Sequence, residues 1–322
     1  MTIIWYFIIM GICLVTIFVY YRKNNKIYNE NYMSEGIGLG ICAGALLFRD
    51  LGVALGISLG MMIGLTIGMF IKKREKKIKE NVIMKLVIEK DLKAMSENAM
   101  YILLGAMLQD KRVNISLTSG RTPRMLYKMM IPLIKDQEKF KDIEYYLFDE
   151  NPYIGEKYGT NWAEMKEMFF EPAHISKEHI HRISLDNWQD YDWQIRQAGG
   201  IDVMVLGLGH DGHFCGNCPR CTQFDSYTYC MEYKDKLAVN PTYGERPRQP
   251  YTITMGAKSL MRVKHLVMIV DGQEKAEIFK RFIEEPISQE VPATILKLHP
   301  NFTVICDEAA ASLLSKNKDL RL

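Results

Sequence analysis

The chain has 322 residues, 48% of them hydrophobic and 25% charged, with a formal net charge of +3. That balance is ordinary for a globular protein and excludes the strongly basic composition of a nucleic-acid binder. The average conceals two unlike parts: residues 1–71 read as membrane sequence, and residues 81–322 as a soluble domain long enough for one large core.

Ile3 to Tyr21 is an uncharged apolar and aromatic run followed by Arg22-Lys23, and its length suits a bilayer-spanning helix. A signal peptide is disfavoured. No Lys or Arg precedes the run, no small-residue cleavage site follows it, and more apolar sequence comes next. Gly36, Gly40 and Gly44, then Gly52, Gly56, Gly60, Gly64 and Gly68, recur at every fourth residue. On a helix that spacing makes one face, which lets a second helix approach closely in lipid, within the chain or between copies in a homo-oligomer. Arg49 and Asp50 interrupt the run. Charges are costly at the bilayer centre, so they mark the turn of a helical hairpin. The first arm, Gly36 to Phe48, is short for a span. Lys72-Lys73-Arg74-Glu75-Lys76-Lys77 opens a basic linker and orients this end toward the cytoplasm. The expectation over 1–80 is a multi-pass anchor: a helix at about 3–21, a glycine-zipper hairpin at about 36–71 and a linker at 72–80. The domain over 81–322 then faces the cytoplasm.

In that domain short apolar runs alternate with helical patterns. Strands are expected at Val82–Ile88, Val113–Leu117, Ile143–Phe148, Ile201–Leu206, His265–Val270 and Phe302–Cys306. Helices are expected at Asp91–Leu108, Pro123–Ile134, Trp162–Phe170, Gln273–Ile283 and Glu308–Leu314. Such alternation implies βαβ units: an open, mostly parallel α/β sheet of Rossmann-like type with helices on both faces, preceded here by transmembrane helices. Gln223 to Pro250 lacks periodicity and reads as a functional loop or lid. His174, His179 and His181 read as surface histidines, and Trp188 and Trp193 as packing residues.

Four strand ends carry polar turns. Thr118-Ser119-Gly120-Arg121-Thr122-Pro123 opens a helix, and backbone N–H groups at such a position bind phosphate, with Ser, Thr and Arg adding donors. Asp149-Glu150 follows the Ile143 strand. Gly207-Leu208-Gly209-His210-Asp211-Gly212-His213 follows the Ile201 strand and presents an acid and a histidine two residues apart. The unperturbed pKa of histidine suits proton transfer near neutrality. Asp271-Gly272-Gln273-Glu274-Lys275 follows the His265 strand. It puts a cation in the first turn of a helix, where only an anionic partner favours it. N-capping is the competing reading of the Ser, Thr and Asp turns. Together the four describe a phosphate cradle facing an acid and a histidine.

Residues of about 81–322 resemble the glucosamine-6-phosphate deaminase (isomerase) family, in the superfamily that includes 6-phosphogluconolactonase. The resemblance runs in order through Ser119 to Pro123, Phe148-Asp149-Glu150, Gly207 to His213, Thr254-Met255-Gly256 and Gly272 to Ala276. It ends with Glu290-Val291-Pro292-Ala293-Thr294-Ile295-Leu296 and Leu298-His299-Pro300-Asn301. It implies that Asp149 moves a proton between C2 and C1 of a sugar phosphate. It also implies that His213, oriented by Asp211, assists ring opening, and that Ser119, Gly120, Arg121, Thr122 and Lys275 hold the phosphate. No cofactor is implied, and Leu298-His299-Pro300 supports the fold.

One departure stands out. Where the family's motif continues to an acidic residue that assists the histidine, this chain has Cys218. A thiol with a solution pKa of about 8.5 is mostly neutral at pH 7 and does not replace a carboxylate. Deamination is therefore the step the sequence puts in question, while isomerisation remains open. A lactonase-like hydrolase, needing His213 but not Asp149 at carbon, and a non-catalytic phosphosugar sensor are the alternatives. Cys215, Cys218 and Cys221 have metal-ligand spacing, with reduced cytoplasmic thiols as the preferred reading. The family's lid arginine corresponds to Arg246 or Arg248.

Overall fold

A computed structural model describes residues 53–70, 84–232 and 248–315 of the protein. The chain divides into two units, Met1–Glu80 and Asn81–Leu322. In the first unit the expected helix at 3–21 and the first hairpin arm lie outside the described residues, as does the basic linker. The second arm is helix α1 (Val53–Phe70). Inside it Thr66 returns its hydroxyl to the carbonyl of Met62 at 2.7 Å, so the hydroxyl needs no outside partner. Its 18 residues reach about 27 Å, against a hydrocarbon layer of roughly 30 Å. Among the described residues no helix is long and apolar enough to cross a membrane. The expectation of transmembrane helices therefore does not extend to α1.

The second unit begins β1 (Lys85–Glu89), α2 (Leu92–Met107), β2 (Asn114–Ser116), α3 (Arg124–Ile134), β3 (Glu144–Tyr146), β4 (Asp149–Glu150), α4 (Thr160–Met165), β5 (Ile180–His181) and α5 (Trp188–Gln197). It continues β6 (Val203–Gly207), β7 (Tyr229–Glu232), β8 (Tyr251–Thr254), α6 (Ala257–Leu260), β9 (His265–Val270), α7 (Ala276–Glu284) and β10 (Phe302–Asp307). Seven strands form one sheet in the order β1-β10-β9-β6-β2-β3-β5, every pair parallel. This is the parallel α/β sheet that the alternating pattern predicts.

The sheet is buried on both faces, which explains why its strands are continuous apolar runs. Met204 and Leu206 of β6 join one core with Tyr191, Ile195, Phe279 and Phe282. Val203 and Val205 point the other way, into a core with Met95, Leu103, Leu126 and Tyr127. Helix α2 starts where its cap dictates: Asp91 Oδ1 accepts the Ala94 N–H at 2.8 Å.

From β2 the chain steps outward through β3 and β5. It then returns to β6 beside β2 and steps the other way through β9 and β10. The reversal between β2 and β6 is a topological switch point, where the carboxyl ends of the strands open a crevice.

Several elements differ from the sequence reading. A second, three-stranded antiparallel sheet, β4-β8-β7, was not foreseen. Part of the expected lid, Tyr229–Glu232, is one of its strands. Strands of two to four residues are too short for periodicity to register. The Trp162–Phe170 helix begins earlier, at Thr160, and widens into a π turn over Lys166–Phe170. The turn lets adjacent Phe169 and Phe170 both enter the core, with Phe169 4.9 Å from Tyr127 and Phe170 5.7 Å from Tyr145, ring to ring. Glu308–Leu314 forms successive turns instead of a helix, although Asp307 accepts Ala310 N–H at 2.7 Å as a helix cap would. Helix α5 falls in a stretch rich in polar residues and was not expected. Its Trp193 is exposed, contrary to the packing role expected of it. His179 and His181 are not free surface groups: both face Glu144, His181 at 2.6 Å.

Candidate active site

All four polar turns meet at the switch point. They line a cavity of about 500 Å³ whose wall includes Ser119, Gly120, Arg121, Thr122, Asp149, Asp211, His213 and Lys275, every residue expected to act on the sugar or to hold its phosphate. The large sheet places three of the turns, after β2, β6 and β9. Asp149 comes from β4 in the small sheet.

The turn after β6 is built around the imidazole. His213 Nδ1 lies 2.6 Å from Asp211 Oδ1, and the same oxygen accepts the His213 backbone N–H at 3.0 Å. With the carboxylate accepting from Nδ1, the neutral ring presents Nε2 as an acceptor. Burial alone would raise the pKa of Asp211, but the hydrogen bond and charge of His213 outweigh it and hold it down at about 2. Asp211 thus stays ionised through the physiological range. Gly209 makes room for the ring: a Cβ there would stand 2.1 Å from His213 Nδ1. Behind the turn, Gly212 has φ +88, and a Cβ on it would meet Val291 Cγ1 at 2.8 Å. The Val291-Pro292-Ala293 segment packs there, with Ala293 N–H on the Gly212 carbonyl at 3.1 Å. That segment is a backing wall, and Arg220 paired with Glu290 at 2.9 Å fastens the following loop to it.

Asp149 and Glu150 have opposite fates. Glu150 is fully buried and accepts three backbone N–H groups: Asn151 at 2.9 Å, Asn161 at 3.1 Å and Trp162 at 3.1 Å. It caps α4 and does not face the cavity. Asp149 does face it, accepting from Asn161 Nδ2 at 2.5 Å. Burial, helped by the neighbouring Glu150 charge, lifts its pKa to about 7 against the smaller opposing effect of Asn161. The small sheet sets Asp149 in place. Asp149 pairs with Thr254, and Thr254 Oγ1 accepts Gly216 N–H at 2.9 Å. Asn217 donates to the Met255 carbonyl at 2.8 Å. Thr254-Met255 therefore ties the acid's strand to the histidine's loop.

On the other side Lys275 is buried and donates to the Leu208 carbonyl. Its burial lowers its pKa to about 8, with the nearby Asp271 charge opposing. Thr122 donates to Asp271, and Arg121 pairs with Asp271 and Glu274.

Cys218 lines the cavity with its thiol pushed up to about 11, first by burial and then by the charge of Asp211. At that value it is neutral at physiological pH. Cys215, Cys218 and Cys221 are free thiols, and among the described residues no group of His, Cys, Asp or Glu is placed to hold a metal. Arg248 lines the cavity, and Arg246 lies outside the described residues. His299 is buried, with Nε2 on the Val263 carbonyl at 2.9 Å and Nδ1 accepting Asn301 N–H at 3.1 Å; it is a structural residue. Sequence reasoning missed Asn161 and Glu164. They share one face of α4, but no local pattern ties them to turns 12 and 44 residues earlier.

Fold and cavity together are those of a parallel α/β enzyme with its ligand cleft at the switch point. The chain belongs to the family described as glucosamine-6-phosphate isomerases/6-phosphogluconolactonase, whose model matches residues 89–305. It is 31% identical over 252 residues to a glucosamine-6-phosphate deaminase of Shouchella clausii, covering 74% of this chain and 100% of that protein. A glucosamine-6-phosphate deaminase of Pseudoalteromonas translucida is 32% identical over 253 residues, covering 73% and 92%. Among solved structures, a monomeric glucosamine-6-phosphate deaminase matches with a TM-score of 0.63 at 25% identity, covering 71% of this chain and all of that one. The 6-phosphogluconolactonase of Leishmania guyanensis shares the fold, with a TM-score of 0.56 at 18% identity over 72% of this chain and 99% of that one. The chain is accordingly an enzyme of the glucosamine-6-phosphate deaminase/isomerase type.

Proposed function

We propose that the protein acts on an amino-sugar phosphate such as glucosamine 6-phosphate, by carboxylate-mediated proton transfer after histidine-assisted ring opening. The observation that carries this reading is an aspartate whose pKa is lifted to about 7 in the same cavity as a histidine fixed by Asp211. His213, with Nε2 free to exchange a proton, opens the ring to the aldehyde. Asp149 then takes the C2 proton and returns it to C1, leaving an iminium at C2. Water adds there and ammonia leaves, giving the ketose phosphate. Ser119, Gly120, Arg121, Thr122 and Lys275 hold the phosphate, and that binding orients the reacting end. Cys218 bears on the first stage. A neutral thiol offers no charge to assist the histidine, so ring opening is slow and limits the steps that follow it.

The test is to incubate the protein with glucosamine 6-phosphate and follow C2 proton exchange and ammonia separately. Both are expected; neither exchange nor ammonia from folded protein would remove the proposal. Lys275→Ala should weaken glucosamine 6-phosphate at least about tenfold more than unphosphorylated glucosamine. An equal loss for both ligands would remove the phosphate role. The uncharged run at 3–21 supports attachment of residues 1–80 to a bilayer, with the enzyme domain on the cytoplasmic side. Recovery in the membrane fraction after an alkaline carbonate wash is the expected result. Release into the supernatant would count against attachment by insertion.

A further inference from the structure

Thr122, Arg121 and Gly120, on the phosphate side of the cavity, each have an internal acceptor. Thr122 and Arg121 are held by Asp271 and Glu274, which share a loop with Lys275. Gly120 is held differently. Its backbone N–H donates to Glu164 Oε2 at 2.8 Å, and Glu164 comes from α4, 44 residues further along the chain. The turn does not need this partner to keep its shape, because Gly120 has φ +96, a conformation glycine adopts at little cost. A Cβ built on Gly120 meets no atom within 4 Å. The α-carbon of Gly120 thus borders open space, while its N–H is already occupied by a carboxylate lining the same cavity.

We infer that Glu164 is an internal substitute for the ligand's phosphate, occupying the anion position at Gly120 N–H until a phosphate displaces it. The inference rests on the phosphosugar reading of the cavity. A carboxylate and a phosphate oxygen cannot both take one N–H, and two anions at contact distance repel strongly in a partly desolvated cleft. A ligand must therefore break the Glu164 contact to enter. A phosphate also engaged by Lys275 and Arg121 can do so, whereas a neutral hydroxymethyl group has no charge with which to compete. Glu164 thus lowers phosphate affinity and sharpens the choice between phosphorylated and plain sugars. Its position adds a consequence: Asn161, three residues earlier on the same helix face, holds Asp149. The helical turn that yields to phosphate is the one that steers the proposed base.

The test uses the full chain, calorimetric titration with inorganic phosphate, and the variants Glu164→Gln, Glu164→Ala and Lys275→Ala. Glutamine keeps an acceptor for Gly120 without the charge, and alanine removes both, so at least one informative variant survives a folding defect in the other. Each Glu164 variant should bind phosphate about tenfold more tightly than wild type, while Lys275→Ala binds more weakly. If Lys275→Ala weakens binding but neither Glu164 variant tightens it, Glu164 is a structural partner of the turn and only this inference falls. If phosphate binds neither wild type nor the Glu164 variants, or binds without regard to Lys275, the phosphosugar reading falls with it.

Discussion

Asp149→Asn is expected to reduce exchange of the sugar C2 proton with solvent by about a thousandfold or more, with ligand affinity largely kept. An amide has no oxygen basic enough to take a proton from carbon, yet it fills the same space beside Asn161. The pH profile gives a second check. A base works deprotonated, and burial lifts the pKa of Asp149 to about 7. Wild-type kcat/KM should therefore fall as the pH drops through about 7, well above the solution aspartate range. Stability moves in the opposite sense. Between the unfolded pKa of roughly 4 and the folded one, the folded state holds the extra proton, so stability declines as the pH rises across that window. Above pH 8 the asparagine variant should be more stable than wild type, by at most ~4 kcal/mol, and near pH 4 the two should converge. Wild-type exchange rates in the variant would remove Asp149 from the role of base.

Gly209→Ala is expected to lower kcat/KM by about a hundredfold while changing stability little. Gly209 is not among the positive-φ glycines, so its backbone accepts alanine. The obstruction is local: the new Cβ would lie 2.1 Å from His213 Nδ1 and 2.3 Å from Cε1. The ring has to move, and moving it breaks the 2.6 Å contact with Asp211. A small drop in melting temperature with a large loss of turnover is the expected signature. Retention of activity within a few-fold would show that the ring's position is not critical.

The convergence of the candidate residues on one cavity was legible because each follows an apolar run that sequence alone marks as a strand. Asp149, Asp211 and Lys275 needed only the rule that strand ends converge at one edge of a parallel sheet. Asn161 and Glu164 were not legible, since their partners are reached through the packing of α4 and not through spacing along the chain. The small sheet escaped for a related reason: β4 is only Asp149 and Glu150, a pair that reads as a motif and not as a strand. Thr254-Met255-Gly256 stood out as a signature, but its purpose emerged only with the ladder. Thr254 lies between Asp149 and Tyr229, and Gly256 passes so close to the next segment that a Cβ would stand 2.4 Å from the carbonyls of Ser226 and Tyr227. The apolar signals of the first 80 residues outran the structure, because most of them fall outside the described residues.

The two acids of β4 are near-equivalents chemically, and only alternation along a strand separates them. Asp149 sits opposite Thr254 and Glu150 opposite Ile253. A slip of one residue in that pairing would exchange their faces, turning the glutamate toward the cavity and the aspartate beneath α4. The helix would lose the longer side chain that spans to three of its N–H groups, and the substrate would meet a carboxylate one methylene further out. Which acid faces the cavity is in this sense a question of register, answered by two rungs of an antiparallel ladder.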